Sequence, residues 1–442
     1  MSARDLIIVG AGVTGSALAW LVTHYMPGIR RILLIERRSA PGLVNSNVTN
    51  NSQTLHRGDI ETNYPLEKAL QVKWGAELLG AFVDQHLPDG RLVIPKQVIA
   101  VDDEVETLEA RFREFRQHYP DIELLDVDGI NRVEPMVMQG RDPDQPIVSL
   151  WSPRGHAVDY HALAEKFIEL ARGNGVEIEI LYNTAIDRVE PARDGFVVRA
   201  NRVAYQTRFV YLAAGNSSLN FAHDLGYERN IALLPVAGSF YKHTRPGGVL
   251  RGKVYTMQNP KLPFAAIHGD PAVYNEDETR FGPTARPMPI FERDSWRTFA
   301  EFLDVGTMTP RGGVALARIL SDPTMLGFGL WNMVYDVPIV GKYAFLRDVR
   351  KVVPSLGIDD IILDKGAGGI RGQPIDLVNG VIAKGHDRFV APDAPYAHTI
   401  APSPGASFCL GNAVELARII SERLGHPFDE ARLLADLGLP AI

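Results

Sequence analysis

The chain has 442 residues, 45% of them apolar and 22% charged, the balance of a globular protein long enough for two or three domains and a large core. Its formal net charge is −7, with no block of basic residues, which argues against a nucleic-acid partner. One cysteine, Cys409, leaves no internal disulfide, no Cys-x-x-Cys or His-x-x-x-His spacing offers a metal site, and no stretch is long and apolar enough to span a bilayer.

Residues 6–9 form a short apolar run rich in β-branched side chains. Gly10-Ala11-Gly12-Val13-Thr14-Gly15 follows at once, and residues 16–25 carry a helical apolar pattern. A second β-branched run, 32–35, ends in Glu36, twenty-one positions after Gly15. Strand, glycine turn, helix and second strand together are the dinucleotide fingerprint in its required context. Gly10 permits the sharp turn, Gly12 lets backbone approach a pyrophosphate, and Gly15 lets the helix pack on its strand, with Val13 and Thr14 at the helix N-terminus aimed at the phosphates. Glu36, followed by Arg37, is placed to accept hydrogen bonds from a ribose diol. The motif leaves FAD and NAD both open. Residues 6–22 also imitate a signal peptide, but the glycines are placed for nucleotide and no small-residue cleavage site follows. The protein is therefore expected in the cytoplasm, free or attached peripherally to the membrane face.

Residues 39–64 are a polar loop loaded with Asn, Ser, Thr and Gly, and so long a loop inside a domain is usually functional. A helical pattern over 65–82 closes it. A strand pair near 92–100, a charged helix over 104–118 with a solvated Glu/Arg face and a short helix near 128–133 come next. Val158-Asp159-Tyr160 opens an amphipathic helix to Arg172, stopped at Gly173 and Gly175. Strand patterns follow at 176–181, 184–189, 195–200 and 207–213. Val189 ends the second of these and is placed among the nucleotide contacts, and the last runs into Ala213-Ala214-Gly215, where backbone can again approach a ligand. Beyond it the pattern gives strands near 234–243 and 326–335, a proline-rich middle (Pro260, Pro263, Pro271, Pro283, Pro287, Pro289) and helices near 296–302 and 314–320. Gly366 to Pro374 is glycine-rich, and Pro404-Gly405-Ala406-Ser407 opens a helix over 408–424 whose N-terminus faces an anion or a ring oxygen. Residues 433–442 are apolar enough to touch a membrane, though packing against the body is expected. The fold class is α/β: a discontinuous, Rossmann-type nucleotide domain drawn from 1–90, 156–230 and 363–442, with a mixed β-sheet and helices substrate domain from 91–155 and 231–362.

Several stretches resemble the malate:quinone oxidoreductase family, within the larger group of flavin enzymes that includes glycine, sarcosine and D-amino-acid oxidases and L-2-hydroxyglutarate dehydrogenase. Residues 50–64 are similar to the family's Asn-Asn-x-x-Thr-x-His-x-x-x-x-Glu-x-Asn-Tyr stretch, matching at Asn50, Asn51, Thr54, His56, Glu61, Asn63 and Tyr64. Val137 to Pro143, Pro235 to Phe240, Lys253-Val254-Tyr255, Phe281-Gly282-Pro283 and Ser403 to Ser407 resemble further family stretches in the same order. Gly369-Ile370-Arg371 also resembles the Gly-Ile/Leu-Arg-Pro element of the amino-acid oxidases. The resemblance implies FAD as cofactor, a 2-hydroxy acid as hydride donor and a quinone as acceptor. The substrate expected first is (S)-malate, oxidised to oxaloacetate. Lactate, 2-hydroxyglutarate and an amino acid stand as alternatives, and a flavin-binding protein without turnover is the reading from another class.

Oxidising a secondary alcohol needs a hydride acceptor, a base and a cation for the carboxylate. FAD supplies the first. His56 is the first choice of base, because imidazole titrates near neutral pH and its loop is one the family places by the flavin; a hydrogen bond to the isoalloxazine is its plainer role. His268, in a segment similar to the family's Pro-x-x-x-His-x-Asp, is the rival base. Arg371 is expected to grip the carboxylate bidentately, with an interdomain ion pair as its plainer role. Arg286 and Tyr64 are candidates for a second carboxylate, and Glu61 is expected to organise the loop. Asn51, Ser52, Thr54, Leu55 and His56 are expected along the flavin, and Gly405, Ala406 and Ser407 to give donors at its pyrimidine end.

Overall fold

The computed structural model describes residues 3–259, 262, 266–293, 295–335, 337, 339–383, 388–400 and 404–440. Pro260, Pro263, Ser403 and the last two residues of the apolar C-terminal stretch lie outside them.

The glycine turn leaves the middle of a sheet. There β1 (Arg4–Val9) lies parallel to β2 (Arg31–Ile35) on one side and β11 (Val203–Leu212) on the other. Parallel β8 (Glu177–Leu181) extends it past β2, and β22 (Tyr396–Thr399) past β11. Antiparallel β21 (Arg388–Val390) edges β22, and the hairpin β9 (Ile186–Ala192) and β10 (Gly195–Ala200) joins β11. The apolar run of β1 does not alternate with polar residues because both of its faces are buried. Leu6, Ile8, Ile32, Leu34, Phe209 and Tyr211 share a core with helices α1 (Val13–Tyr25), α2 (Leu66–His86), α6 (Tyr160–Arg172) and α12 (Cys409–Leu424). Ile7, Val9, Leu33, Ile35, Val210 and Leu212 face a second core with the β9–β10 hairpin and α7 (Ser218–Asp224). Asp159 starts α6 by accepting from the backbone N–H of His161 at 2.9 Å and Ala162 at 3.0 Å. The short C-terminal helix α13 (Glu430–Asp436) buries Leu433 and Leu434 in the first core, so that stretch packs rather than projects.

The second body is a mixed sheet in the order β18 (Ile361–Asp364), β13 (Phe240–His243), β16 (Asn275–Gly282), β15 (His268–Ala272), β14 (Lys253–Thr256), β4 (Lys96–Val101), β6 (Ile147–Ser152), β5 (Glu123–Leu125). It is parallel at β4–β14 and antiparallel elsewhere. A four-stranded sheet, β17 (Arg286–Pro287), β12 (Ile231–Ala237), β19 (Ile370–Asp376), β20 (Val381–Ile382), and a two-stranded one, β3 (Arg91–Val93) and β7 (His156–Val158), stand beside it. Helices α3 (Val105–Phe115), α4 (Val127–Val133), α5 (Pro135–Met138), α8 (Phe299–Asp304), α9 (Pro310–Leu320), α10 (Pro323–Val334) and α11 (Val340–Val349) complete it. Among the described residues no helix is long and apolar enough to cross a membrane.

Three expectations need correction. Residues 326–335 are helix, not strand: Asp322 accepts from Thr324 N at 2.7 Å and Pro323 takes the first turn, a start signal that outweighs the apolar run. The strand expected over 234–243 breaks at Gly238-Ser239 into β12 and β13, which belong to different sheets. The pair near 92–100 is likewise β3 and β4, each hydrogen-bonded elsewhere.

Candidate active site

A cavity of about 480 Å³ opens where β1 ends. Gly10 turns with φ +101°, and a Cβ there would stand 2.3 Å from the carbonyl oxygen of Ala213, so both the conformation and the space demand glycine. Gly15 lies beneath, where a Cβ would fall 2.0 Å from Gly10 O; it lets α1 press on the turn and lines no cavity. A Cβ at Gly12 would meet only Ser46 Oγ, at 3.5 Å, leaving the space above it open. Gly12 is also the N-cap of α1, with no acidic residue in the first turn; Val13 N donates to Ser46 Oγ at 3.0 Å, and the positive helix end beyond it suits an anion. The buried Glu36 carboxylate accepts from Ala11 N at 2.7 Å and Arg38 N at 2.8 Å, which fixes it at the rim with lone pairs to spare for a diol. Val13, Thr14, Ala213, Ala214, Gly215 and Ala406 line the same cavity. Arg37 does too, but its guanidinium is paired with Glu292 and, at 3.1 Å, Glu301. Val189 is buried in the second core and lines neither cavity; Thr184 to Asp187, just before it, do. Asn216 and Ser217, which the sequence did not single out, also line it. An open glycine turn, a helix end without acidic residues and an anchored carboxylate fit the pyrophosphate and ribose of a dinucleotide.

A second cavity, of about 220 Å³, meets the first at Asn45 and Ala406, which line both. Asn51, Ser52, Thr54, His56, Tyr64, His268, Arg371, Gly405 and Ser407 come together in its wall. Four separate stretches of chain supply them, and one hydroxyl ties two together. Ser407 Oγ donates to Thr54 O at 3.0 Å and accepts from His56 N at 2.9 Å, while Tyr160 OH donates to the same Thr54 O at 2.8 Å. Asn45 pins the third stretch, donating to Ile370 O at 2.9 Å and accepting from Ile370 N at 3.2 Å, one residue before Arg371. Two expected residues stand apart. Leu55 points into the first core while its N–H donates to His156 O at 2.9 Å, and Arg286 sits on β17 with Nη2 2.9 Å from Met288 Sδ. Tyr255 was missed as a contact: its hydroxyl is 2.8 Å from Thr54 Oγ1 and its ring centroid 4.6 Å from that of His268.

The polar groups in this cavity are unevenly satisfied. His56 Nδ1 lies 2.7 Å from Glu61 Oε1. Burial alone would raise the Glu61 carboxyl, but the charge of Lys96 and the His56 hydrogen bond hold it well below the usual range. An ionised Glu61 can only accept, so Nδ1 carries the proton in this hydrogen bond. Glu61 Oε2 and Asn63 Oδ1, both in the cavity wall, are buried with no hydrogen-bond partner among the described residues. His268 is 1% exposed, with Nδ1 3.2 Å from Ala266 O. Burial, and then the charge of Lys253, push its pKa down to about 3, so its ring is neutral. Behind it Asp270 pairs with Arg280 at 3.0 Å and Lys253 at 3.2 Å, all three buried. Arg371 differs from these cations: among the described residues no carboxylate or carbonyl accepts from its guanidinium, and burial lowers its pKa. The Arg371 guanidinium and the carboxylate-backed His56 imidazole line the same cavity.

Comparisons with known proteins identify the family. A family model described as FAD dependent oxidoreductase matches residues 5–391. Over 98% of both chains this one is 34% identical to a Campylobacter jejuni protein named "Probable malate:quinone oxidoreductase". It is 32% identical to the Helicobacter pylori malate:quinone oxidoreductase, over 98% of this chain and 97% of that one. Among solved structures, glycine oxidase from Geobacillus kaustophilus superposes with a TM-score of 0.66 at 15% identity, over 96% of this chain and 95% of that one, which shows the fold alone. With a full-length match at this identity and a glycine turn, Glu36 and a two-part cavity arranged for a flavin dinucleotide, the chain belongs to the malate:quinone oxidoreductase family of FAD-dependent oxidoreductases.

Proposed function

We propose that this chain oxidises (S)-malate to oxaloacetate and passes the electrons to a quinone at the cytoplasmic membrane face, where it is peripherally attached. The observation that carries the reading is Arg371, unpaired among the described residues, in one cavity with the His56–Glu61 pair. FAD, held by residues of 1–90, 156–230 and 363–442, supplies the hydride acceptor for C2 of the substrate. Arg371 takes one carboxylate with two parallel N–H donors, which orients C2. Tyr64, beside Arg371, is the candidate for the second carboxylate. His56 Nε2 accepts the hydroxyl proton as C2 loses its hydride, and the Glu61 carboxylate steadies the imidazolium that forms. Gly405, Ala406 and Ser407 stand at the flavin end of the cavity, where backbone donors favour negative charge. The residues 91–155 and 231–362 close the substrate side.

The test is product analysis. Purified holoprotein with (S)-malate and a soluble quinone should form oxaloacetate and reduced quinone one for one. Quinone reduction by lactate or 2-hydroxyglutarate but not by malate would replace the substrate, and turnover with an amino acid alone would reject the reading.

A further inference from the structure

Helix α10 is apolar on both sides, packing Met325, Phe328, Trp331 and Val334 against the cores. Between Pro323 and Tyr335 it carries no charged residue, and its one buried side chain is polar Asn332, whose Oδ1 accepts from Ala285 N at 2.7 Å. Leu326, Leu330, Met333 and Val337, spaced by four, three and four residues, form a stripe on the outside that is between 41% and 57% exposed. Ile339, 78% exposed, with Val340 and Tyr343, continues it onto α11. An amphipathic helix on a water-facing surface keeps its outer face polar, and a contiguous apolar stripe marks a contact surface.

Charge selects the partner. Residues 305–348 carry Arg311, Arg318, Lys342 and Arg347 against Asp322, Asp336 and Asp348, in a chain whose net charge is −7. Arg311 and Arg318 are exposed, Arg347 is exposed but paired with Asp348 at 3.1 Å, and the Asp322 carboxylate is turned onto Thr324 N as the helix cap. An apolar stripe with basic neighbours matches an anionic lipid surface, where acyl chains take the stripe and headgroups take the cations. The stripe is also connected to the site, because Ala285, held by Asn332, lies two residues from Pro283 in the wall of the second cavity.

We propose that the outer face of α10 and the start of α11 is the surface that lies on an anionic bilayer. The inference rests on the proposed quinone acceptor, which dissolves in lipid and would be met from this side. Cosedimentation of the holoprotein with phosphatidylglycerol and with phosphatidylcholine vesicles tests it. Binding is expected to the first, weakened by salt, and the triple variant Leu326→Ser, Leu330→Ser, Met333→Ser should partition at least tenfold less while reducing a soluble quinone as before. Val93→Ser, equally exposed elsewhere, should bind as wild type. Arg311→Glu with Lys342→Glu should also weaken binding, an independent check should the triple variant misfold. Wild-type protein that ignores both vesicles, or serine variants that bind undiminished, would overturn the proposal. So would a dimer that the serine variants split, which would assign the stripe to a second copy. Lost malate turnover with intact vesicle binding would instead reject the proposed reaction and leave this surface standing.

Discussion

Nδ1 of His56 stands 2.7 Å from Oε1 of Glu61, five residues further along the same loop. In the proposed reaction the pair does for the imidazole what a buried carboxylate does in a catalytic triad, fixing tautomer and orientation and compensating the charge that proton uptake creates. His56→Ala is expected to lower kcat by about 10²- to 10⁴-fold, the range for loss of a general base, with flavin retained. Glu61→Gln keeps an acceptor but removes the charge and should fall between His56→Ala and wild type. His268→Ala should stay within about tenfold of wild type. Anaerobic single-turnover flavin reduction separates the three, and a stalled His268→Ala beside an active His56→Ala would transfer the role of base.

Arg371 should behave as a carboxylate clamp. A hydrogen-bonded charge is worth about 1.5–3 kcal/mol, so Arg371→Ala is expected to cut kcat/KM for malate by roughly 10- to 150-fold. Arg371→Lys should recover only part, since a point charge cannot reproduce the fork. Unchanged kcat/KM in Arg371→Ala would remove the residue from the site.

Glu36 tests the first cavity separately. Its carboxylate holds the backbone at Ala11 and Arg38 and faces the space assigned to a ribose. Glu36→Ala should raise the FAD dissociation constant by about tenfold or more, measured by fluorescence titration of the apoprotein. An unaltered constant would place the ribose elsewhere.

The buried His268 predicts a pH dependence of stability. Its folded pKa, about 3, lies below its unfolded value of 6.5, so the unfolded chain takes up the proton first as pH falls. The contribution is complete above pH 6.5 and is lost progressively below it. At pH 5 the loss reaches about 2 kcal/mol at most. Glu61, whose carboxyl is also held low, adds a loss in the same direction below about pH 4.5. Denaturant unfolding at pH 7 and pH 5 should show the drop in wild type and a smaller one in His268→Gln. Equal drops would place the titrating group elsewhere.

What could be read before the fold was known was mostly local. The turn at Gly10, the second strand ending in Glu36 and the capped helix after Asp159 depend on contacts a few residues apart, and each stands where its pattern put it. The loop from Asn45 to Tyr64 was recognisable because its polar composition allows neither helix nor strand. Non-local pairing was out of reach. Arg371 reaches the cavity because β19 pairs with β12, more than a hundred residues earlier, and Tyr255 reaches Thr54 through β14 beside β4. Periodicity failed at α10, because a helix apolar on its outer face has no polar side to mark its turns. It failed again at 268–282, where Pro271 within β15 concealed the β15–β16 hairpin.

The most direct measurement is an anaerobic absorbance spectrum of the holoprotein before and after (S)-malate is added, followed by a soluble quinone. The oxidised-flavin band should bleach with malate and return with the quinone. A band that malate leaves unchanged while an amino acid bleaches it would contradict the assignment of this cavity to a 2-hydroxy acid.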